Sequence, residues 1–298
     1  MTGTQPRSYY GRPILKEPVW KPEIPWYFFT GGIGGSSAAL ALGGRLAGND
    51  RLSRNANLVA LAAMTVSPVL LVRDLGRPLR FLNMLRVFKV TSPMSVGSWL
   101  LAVQGTSTGV AGACNVFGIF TRLHGAAQVV AGVSGMPLST YTGALLADTA
   151  IPVWHEARRE LPFVFAGGAA STGGGAVAAV THPDHAGPAR RLALLGAILE
   201  LGATHVMEKR LGSFLAEPYH EGESGRYARL GKGLTAAGAG VLAVAGRRRL
   251  GAVAGGALLL AGGACQRWSV FKAGIASARD PKYTVTPQRE RLEARARR

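Results

Sequence analysis

The chain has 298 residues, of which 48% are apolar, 41 more are glycine and only 17% are charged. That charge content is low for a soluble domain, and apolar stretches near bilayer-spanning length recur along most of the sequence. The formal charge of +18 lies between those stretches and in the C-terminal tail, not on a folded module with exposed aromatics, which argues against nucleic-acid binding.

The N-terminal segment, residues 1–24, has no apolar core before a cleavage site, so the first hydrophobic stretch is expected to stay as a span. Spans are expected over 25–46, 56–72, 93–113, 124–152, 161–180 and 189–206. A polar loop follows, then two short glycine-rich spans over 233–245 and 250–264, which reduce the count to seven if they merge. The expected fold is all-α, an integral membrane protein of about eight transmembrane helices in a tightly packed bundle. The membrane domain covers 25–265 and a basic C-terminal tail covers 266–298, of which 279–298 is expected to be partly unstructured. Runs such as "GGIGGSSAALALGG" and "FAGGAASTGGGAVAAV" fit the packing, because small residues let helix backbones approach where no hydrophobic drive acts between helices.

Eight spans place both termini on one side, and 25 of the 34 Lys and Arg residues fall on that side. The positive-inside bias therefore predicts cytoplasmic termini. An acidic partner subunit docked there gives the same bias. The stretch "VRDLGRPLRFLNMLRVFKVTSPMSVGSW", 72–99, interrupts the apolar pattern with five basic residues and one carboxylate. Its "LRFLNMLRVFK" portion reads as an amphipathic helix at the interface. It is either a docking platform or a membrane-surface anchor. Asp74 and Arg77 can pair with each other or with backbone groups, and Pro78 stiffens the turn.

Ionisable groups inside a bilayer are expensive and usually face a cavity, a partner or the bundle interior. Glu200 lies well inside the sixth expected span, with His205 five residues on. It is either a proton relay or a structural carboxylate paired with a neighbouring helix. Tyr141 and Asp148 are seven residues apart, two helical turns, and share nearly one face. Tyr141 is either a hydrogen-bond donor to a bound carbonyl or a packed tyrosine, and Asp148 either a proton-exchange group or a helix-end carboxylate. The topology brings Trp26 and Tyr27, Asp74 to Arg77, Tyr141 with Asp148, and Glu200 with His205 toward one surface. Of six histidines only His124 and His205 lie near spans, both near ends, which argues against haem. Cys114 and Cys265 have no cluster-binding or zinc spacing, so no iron-sulfur cluster and no metal site is expected in this chain.

"PWYFFTGGIGGSSAALAL", "RDLGRPLRFLNMLRVFKVTSPMSVGSW" and "STYTGALLADTAIPVW", in this order and spacing, resemble the polysulfide reductase NrfD family, also called PsrC-like. The resemblance runs from about Trp26 to the middle of the sixth span. It implies an eight-helix membrane subunit without haem that binds menaquinone or ubiquinone. It also implies a four-cluster ferredoxin-like iron-sulfur subunit beside it and a molybdopterin or other catalytic subunit beyond. On this resemblance Asp74, Leu75, Gly76, Arg77 and Pro78 form the signature loop, with Asp74 and Arg77 at the quinone mouth. Ser92, Pro93 and Trp99 open helix three, and Tyr141 contacts the quinone head group. The family's helix-one histidine is absent here, leaving Trp26 or Thr30 for the second carbonyl.

The expected function is electron exchange between the partner's clusters and quinone in a bacterial inner membrane, with protons handled by Tyr141, Asp148, Glu200 and His205. The chain is expected to be catalytic only within the complex. Two other readings stay open at this stage. One is a proton- or ion-translocating module built on Glu200 and Asp148. The other is a passive membrane anchor, in contact with membrane lipids, whose quinone pocket is degenerate and carries no quinone chemistry.

Overall fold

The computed structural model describes residues 14–296, so the start of the 1–24 tail and the last two residues lie outside the described chain. Among the described residues there are eleven helices and no strand. They are α1 (Glu23–Leu46), α2 (Asp50–Asp74), α3 (Arg80–Met84), α4 (Pro93–Phe117), α5 (Thr121–Ala147) and α6 (Pro152–Glu156). After these come α7 (Leu161–Val180), α8 (Gly187–His220), α9 (Gly222–Ala245), α10 (Arg249–Arg279) and α11 (Lys282–Ala296). Eight of the eleven are long. The shortest of these, α7, has 20 residues, which at ~1.5 Å per residue gives about 30 Å, the thickness of a bilayer's hydrocarbon core.

Short connections force neighbouring long helices to run antiparallel. Between α1 and α2 the chain turns at Gly48, whose φ of 67° suits glycine, and Asn49 caps α2 by accepting from the Leu52 N–H at 3.1 Å. Ser92 and Pro93 open α4 in the same manner, with cap and N1 proline adjacent. The long helices form two groups. Helices α1, α2, α4 and α5 pack together, as do α7, α8, α9 and α10, and contacts of α1 and α5 with α7 and of α1 with α10 join the two. Both described chain ends lie at one end of the bundle, where Trp154 of α6 forms a plug. It is fully buried, stacks on Trp20 at 5.6 Å and donates to the Val270 carbonyl at 2.8 Å.

Helices α2, α5 and α7 are long and apolar enough to cross a membrane by length and composition. The other five long helices are diluted by glycine, hydroxyl, amide or charged residues, some of which face inward. Gln104 of α4, fully buried, accepts from Ser134 of α5 at 2.7 Å and donates to Thr108 at 3.0 Å, so the polar atoms are matched inside the bundle.

Three expectations change. The last two long helices are not short: α9 begins at Gly222 and α10 continues to Arg279, past the expected limit at 265. The expected polar loop after 206 is helical, broken at Gly212, whose φ of 70° leaves the helical region. The tail is also helical over Lys282–Ala296, docked where Glu217 accepts from Lys282 at 3.0 Å and from the Tyr283 hydroxyl at 2.9 Å.

Close backbone approach sets the packing of α7 on α8. A methyl group on Gly196 would collide with the Ser171 backbone nitrogen, whereas one on Gly43 would meet nothing within 4 Å. Gly196→Val should therefore destabilise the protein by about 1–3 kcal/mol or more. Gly43→Ala should be neutral or stabilising by about 0.5–1 kcal/mol. Thermal unfolding in detergent checks both, and equal behaviour of the two variants would contradict this packing.

Candidate functional site

The basic interruption at 72–99 folds as a strap across the terminus-bearing end of α4. Between α2 and α4 only Arg80–Met84 is helical, so the expected longer amphipathic helix is reduced to one turn and a half. The reason is local. Ser95 accepts from the Lys89 N–H and donates to the Val87 carbonyl, both at 3.0 Å, pinning 87–89 in an extended path over the start of α4. Phe88 then meets Trp99 edge-on at 6.1 Å. Gly76, with φ 70°, makes the turn out of α2.

Five residues of "SPMSVGSW" have a task in this arrangement. Ser92 caps, Pro93 starts the helix, Ser95 anchors the strap and Trp99 receives Phe88. Gly97 is the sharpest constraint: a Cβ there would overlap the ring of Tyr141. Tyr141, on α5, thus lies flat against α4 because position 97 has no side chain. Its phenol pairs with that of Tyr27, which is buried on α1.

Tyr141 and Asp148 line one groove between α4 and α5, about 550 Å³ in volume, with Val90, Thr91, Pro93, Val96, Leu100, Pro137, Thr140 and Ala144. The two sequence-predicted residues do share a face. Asp148, at the end of α5, is exposed at the mouth. A mostly apolar slot with a phenol on its wall and a carboxylate at its mouth suits a flat, largely apolar molecule bearing a hydrogen-bond acceptor.

The remaining predicted residues are at the same end of the bundle but not in this groove. Asp74 accepts from the Lys21 backbone N–H at 2.8 Å, so its carboxylate ties the chain before α1 to the end of α2. Arg77 is exposed and makes no ion pair among the described residues. The Thr30 hydroxyl donates to the Trp26 carbonyl of its own helix at 2.9 Å. Trp26 faces outward, in edge contact with Trp268 of α10 at 6.2 Å. His205 is exposed, while Glu200 points inward, so the two do not meet.

Glu200 has a partner that the sequence reading placed in the tail. Arg267 of α10 is 3% exposed and Glu200 of α8 is 2% exposed, with Nη1 and Oε1 4.0 Å apart. Arg267 donates to the Phe165 carbonyl at 3.0 Å and its guanidinium lies 4.1 Å from the centre of the Phe165 ring. Among the described residues, both Glu200 oxygens and the Arg267 Nε and Nη1 have no hydrogen-bond partner. Gly168 on α7 leaves room for them, since a Cβ there would lie 2.5 Å from Glu200 Oε1. A chain of ring contacts, Tyr27 to Phe28 at 5.9 Å and Phe28 to Phe165 at 5.8 Å, stands between this pair and Tyr141. The signal missed for Arg267 was the apolar "WSVF" after it, which continues the helix and leaves the arginine inside. Among the described residues, no cluster of His, Cys, Asp and Glu is arranged to hold a metal.

Such a bundle, with inward-facing polar residues and a groove between two of its long helices, is that of an all-helical membrane protein. Residues 15–182 match the family model described as polysulphide reductase, NrfD, and the chain belongs to this family. The match covers α1 to α7 and therefore the strap and the groove. Members are membrane subunits of respiratory oxidoreductase complexes, associated with iron-sulfur and catalytic subunits. No curated protein matches the chain.

Truncating one member of a buried ion pair strands the other and costs about 3–5 kcal/mol, whereas replacing both by apolar groups is often close to neutral. Arg267→Leu should accordingly lower the unfolding temperature in detergent, and the double variant Glu200→Leu/Arg267→Leu should recover most of the loss. A double variant no more stable than Arg267→Leu alone would show that the two charges are not coupled.

Proposed function

We propose that the chain is the quinone-reactive membrane subunit of a respiratory oxidoreductase complex. It exchanges electrons between a partner iron-sulfur subunit and menaquinone or ubiquinone in a bacterial inner membrane. The observation that carries this reading is the α4–α5 groove with Tyr141 on its wall and Asp148 at its mouth, beside the basic strap. Quinone supplies two-electron, two-proton redox chemistry when bound.

In this reading Tyr141 donates a hydrogen bond to the head-group carbonyl. Tyr27 fixes the direction of that phenol from behind, and Gly97 keeps it against α4. Asp148, open to water, exchanges protons between the mouth and the aqueous phase. Asp74 acts at one remove by holding the chain before α1 in place. Trp26, Thr30 and His205 are directed elsewhere, so the head group relies on Tyr141. The clusters that deliver or receive electrons belong to the partner, for which the exposed Arg73, Arg77, Arg80, Arg86 and Lys89 form a cationic approach. In this reading the described chain ends and this approach share the cytoplasmic side, in keeping with the positive-inside bias.

A second reading, proton translocation, has one observation behind it: the Glu200–Arg267 pair, buried with unpartnered atoms on both residues. The ring contacts between that pair and Tyr141 favour the quinone reading, in which the pair holds α8 to α10.

Tyr141→Phe should keep the complex assembled and lower its quinone-dependent turnover by about tenfold or more, the scale of one lost hydrogen bond in a water-poor site. Turnover of the affinity-purified complex, with its subunits and bound quinone identified by mass spectrometry, measures this. Unchanged turnover, or a chain that purifies without partner and without quinone, would contradict the proposal.

A further inference from the structure

The end of the bundle opposite the described chain ends carries a charge that the proposed reaction does not use. Its nine basic residues are all arginines, and five of them, Arg190, Arg191, Arg247, Arg248 and Arg249, sit where α7 turns into α8 and α9 into α10. Its only carboxylates are Asp50 and Asp184, and Asp184 is paired with His182 at 3.3 Å. The positive-inside bias disfavours arginines at this end, so a role in setting topology does not explain them. These five also lie beyond residue 182, where the family match ends.

The five form one rigid group. Arg190 donates through Nη1 to the Pro183 carbonyl at 2.8 Å and to the Gly246 carbonyl at 3.2 Å, and Arg249 donates to the Thr181 carbonyl at 3.2 Å. These two side chains staple the α9–α10 turn to the α7–α8 loop. From the other side Asn55 donates to the Val180 carbonyl at 3.3 Å and Asn49 to the His185 carbonyl at 2.9 Å, so the loop is held at both edges. Arg191, Arg247 and Arg248 are exposed on this fixed frame and form no ion pair among the described residues.

Next to the cations the surface turns apolar. Arg191, Leu195 and Ile198 follow at i, i+4 and i+7 on one exposed face of α8. Val244, before the α9–α10 turn, is 90% exposed, and Leu250, after it, 84%. Cations at the helix ends with bare aliphatic side chains along the same helices complement an amphiphile. A soluble acidic protein would meet the arginines and leave the aliphatic strip uncovered.

We propose that this corner is a binding site for an anionic phospholipid, its phosphate held by Arg191, Arg247 and Arg248 and its acyl chains lying along Leu195, Ile198 and Leu250. Guanidinium suits the task because its planar fork matches phosphate oxygens two at a time. The bound lipid bridges α8 and the α9–α10 turn from outside, as Arg190 does from within. The site is independent of the quinone reading.

The test is native mass spectrometry of the delipidated full-length chain in detergent, titrated with phosphatidylglycerol, phosphatidylcholine or sn-glycerol 3-phosphate. The variant Arg191→Gln/Arg247→Gln/Arg248→Gln removes three charges and no hydrogen bond of the fold, so its unfolding temperature without lipid should equal that of the wild type. The wild type should bind phosphatidylglycerol at least about tenfold more tightly than phosphatidylcholine, and the triple variant should lose that preference. Arg51→Gln/Arg122→Gln, which removes charge from the other half of the same end, should keep it. Equal affinity of the wild type for both lipids, or an unchanged preference in the triple variant, would overturn the proposal. An equal loss in Arg51→Gln/Arg122→Gln would overturn it by making the effect one of diffuse charge. Glycerol phosphate binding as tightly as the lipid would replace it with a soluble-anion site. A triple variant that keeps its lipid preference but no longer retains a partner subunit in the purified complex would replace it with a protein interface.

Discussion

Contact between helix backbones, made where glycine removes the side chain, is the constraint on which the rest of this molecule depends. Gly35 and Gly135 bring α1 and α5 together, Gly167 and Gly196 do the same for α7 and α8, and Gly175 and Gly256 for α7 and α10. In a bilayer, helices gain nothing by hiding apolar surface from water, so association rests on packing and on inward hydrogen bonds. The small residues provide the first. Gln104, Ser134 and Thr108, or Gln128 with Ser53, provide the second.

The candidate site is a local case of that constraint. At Gly97 the space made by a missing side chain is filled not by a backbone but by the ring of Tyr141. The phenol consequently rests in the α4–α5 seam with Tyr27 behind it and the groove before it. At Gly168 the space holds the Glu200 and Arg267 side chains. Two glycines on different helices thus accommodate the polar groups of the interior. The first opens toward a groove, and the second encloses a charge pair among aromatic rings.

Much of this was legible in the sequence, and the reasons are physical. The all-helical membrane fold follows from the spacing of apolar stretches, and the family from "DLGRP" and "SPMSVGSW", residues now seen to make a turn, a cap, a strap anchor and a ring seat. The two-turn spacing of Tyr141 and Asp148 put them on one face, and one groove holds both. What could not be read was lateral placement. Trp26 is next to Tyr27 in sequence but about 100° away around α1, which turns it outward, and His205 is five residues from Glu200, more than a third of a turn away around α8. Shared depth at one end of a bundle says nothing about which helix faces which. Arg267 was missed because apolarity alone ends the last span at 264, whereas the helix continues with its charge neutralised by a residue 67 positions earlier. The strap was read as a longer helix because its basic and apolar residues alternate suitably. Two hydrogen bonds to Ser95 impose the extended path instead.

The most direct measurement is photolabelling of the membrane complex with an azido-substituted quinone that competes with the natural one, followed by peptide mapping. The account predicts label on the peptides containing Thr91–Leu100 and Pro137–Asp148, which line the head-group groove. Label confined to α8, α9 and α10, with those two peptides unmodified, would contradict it.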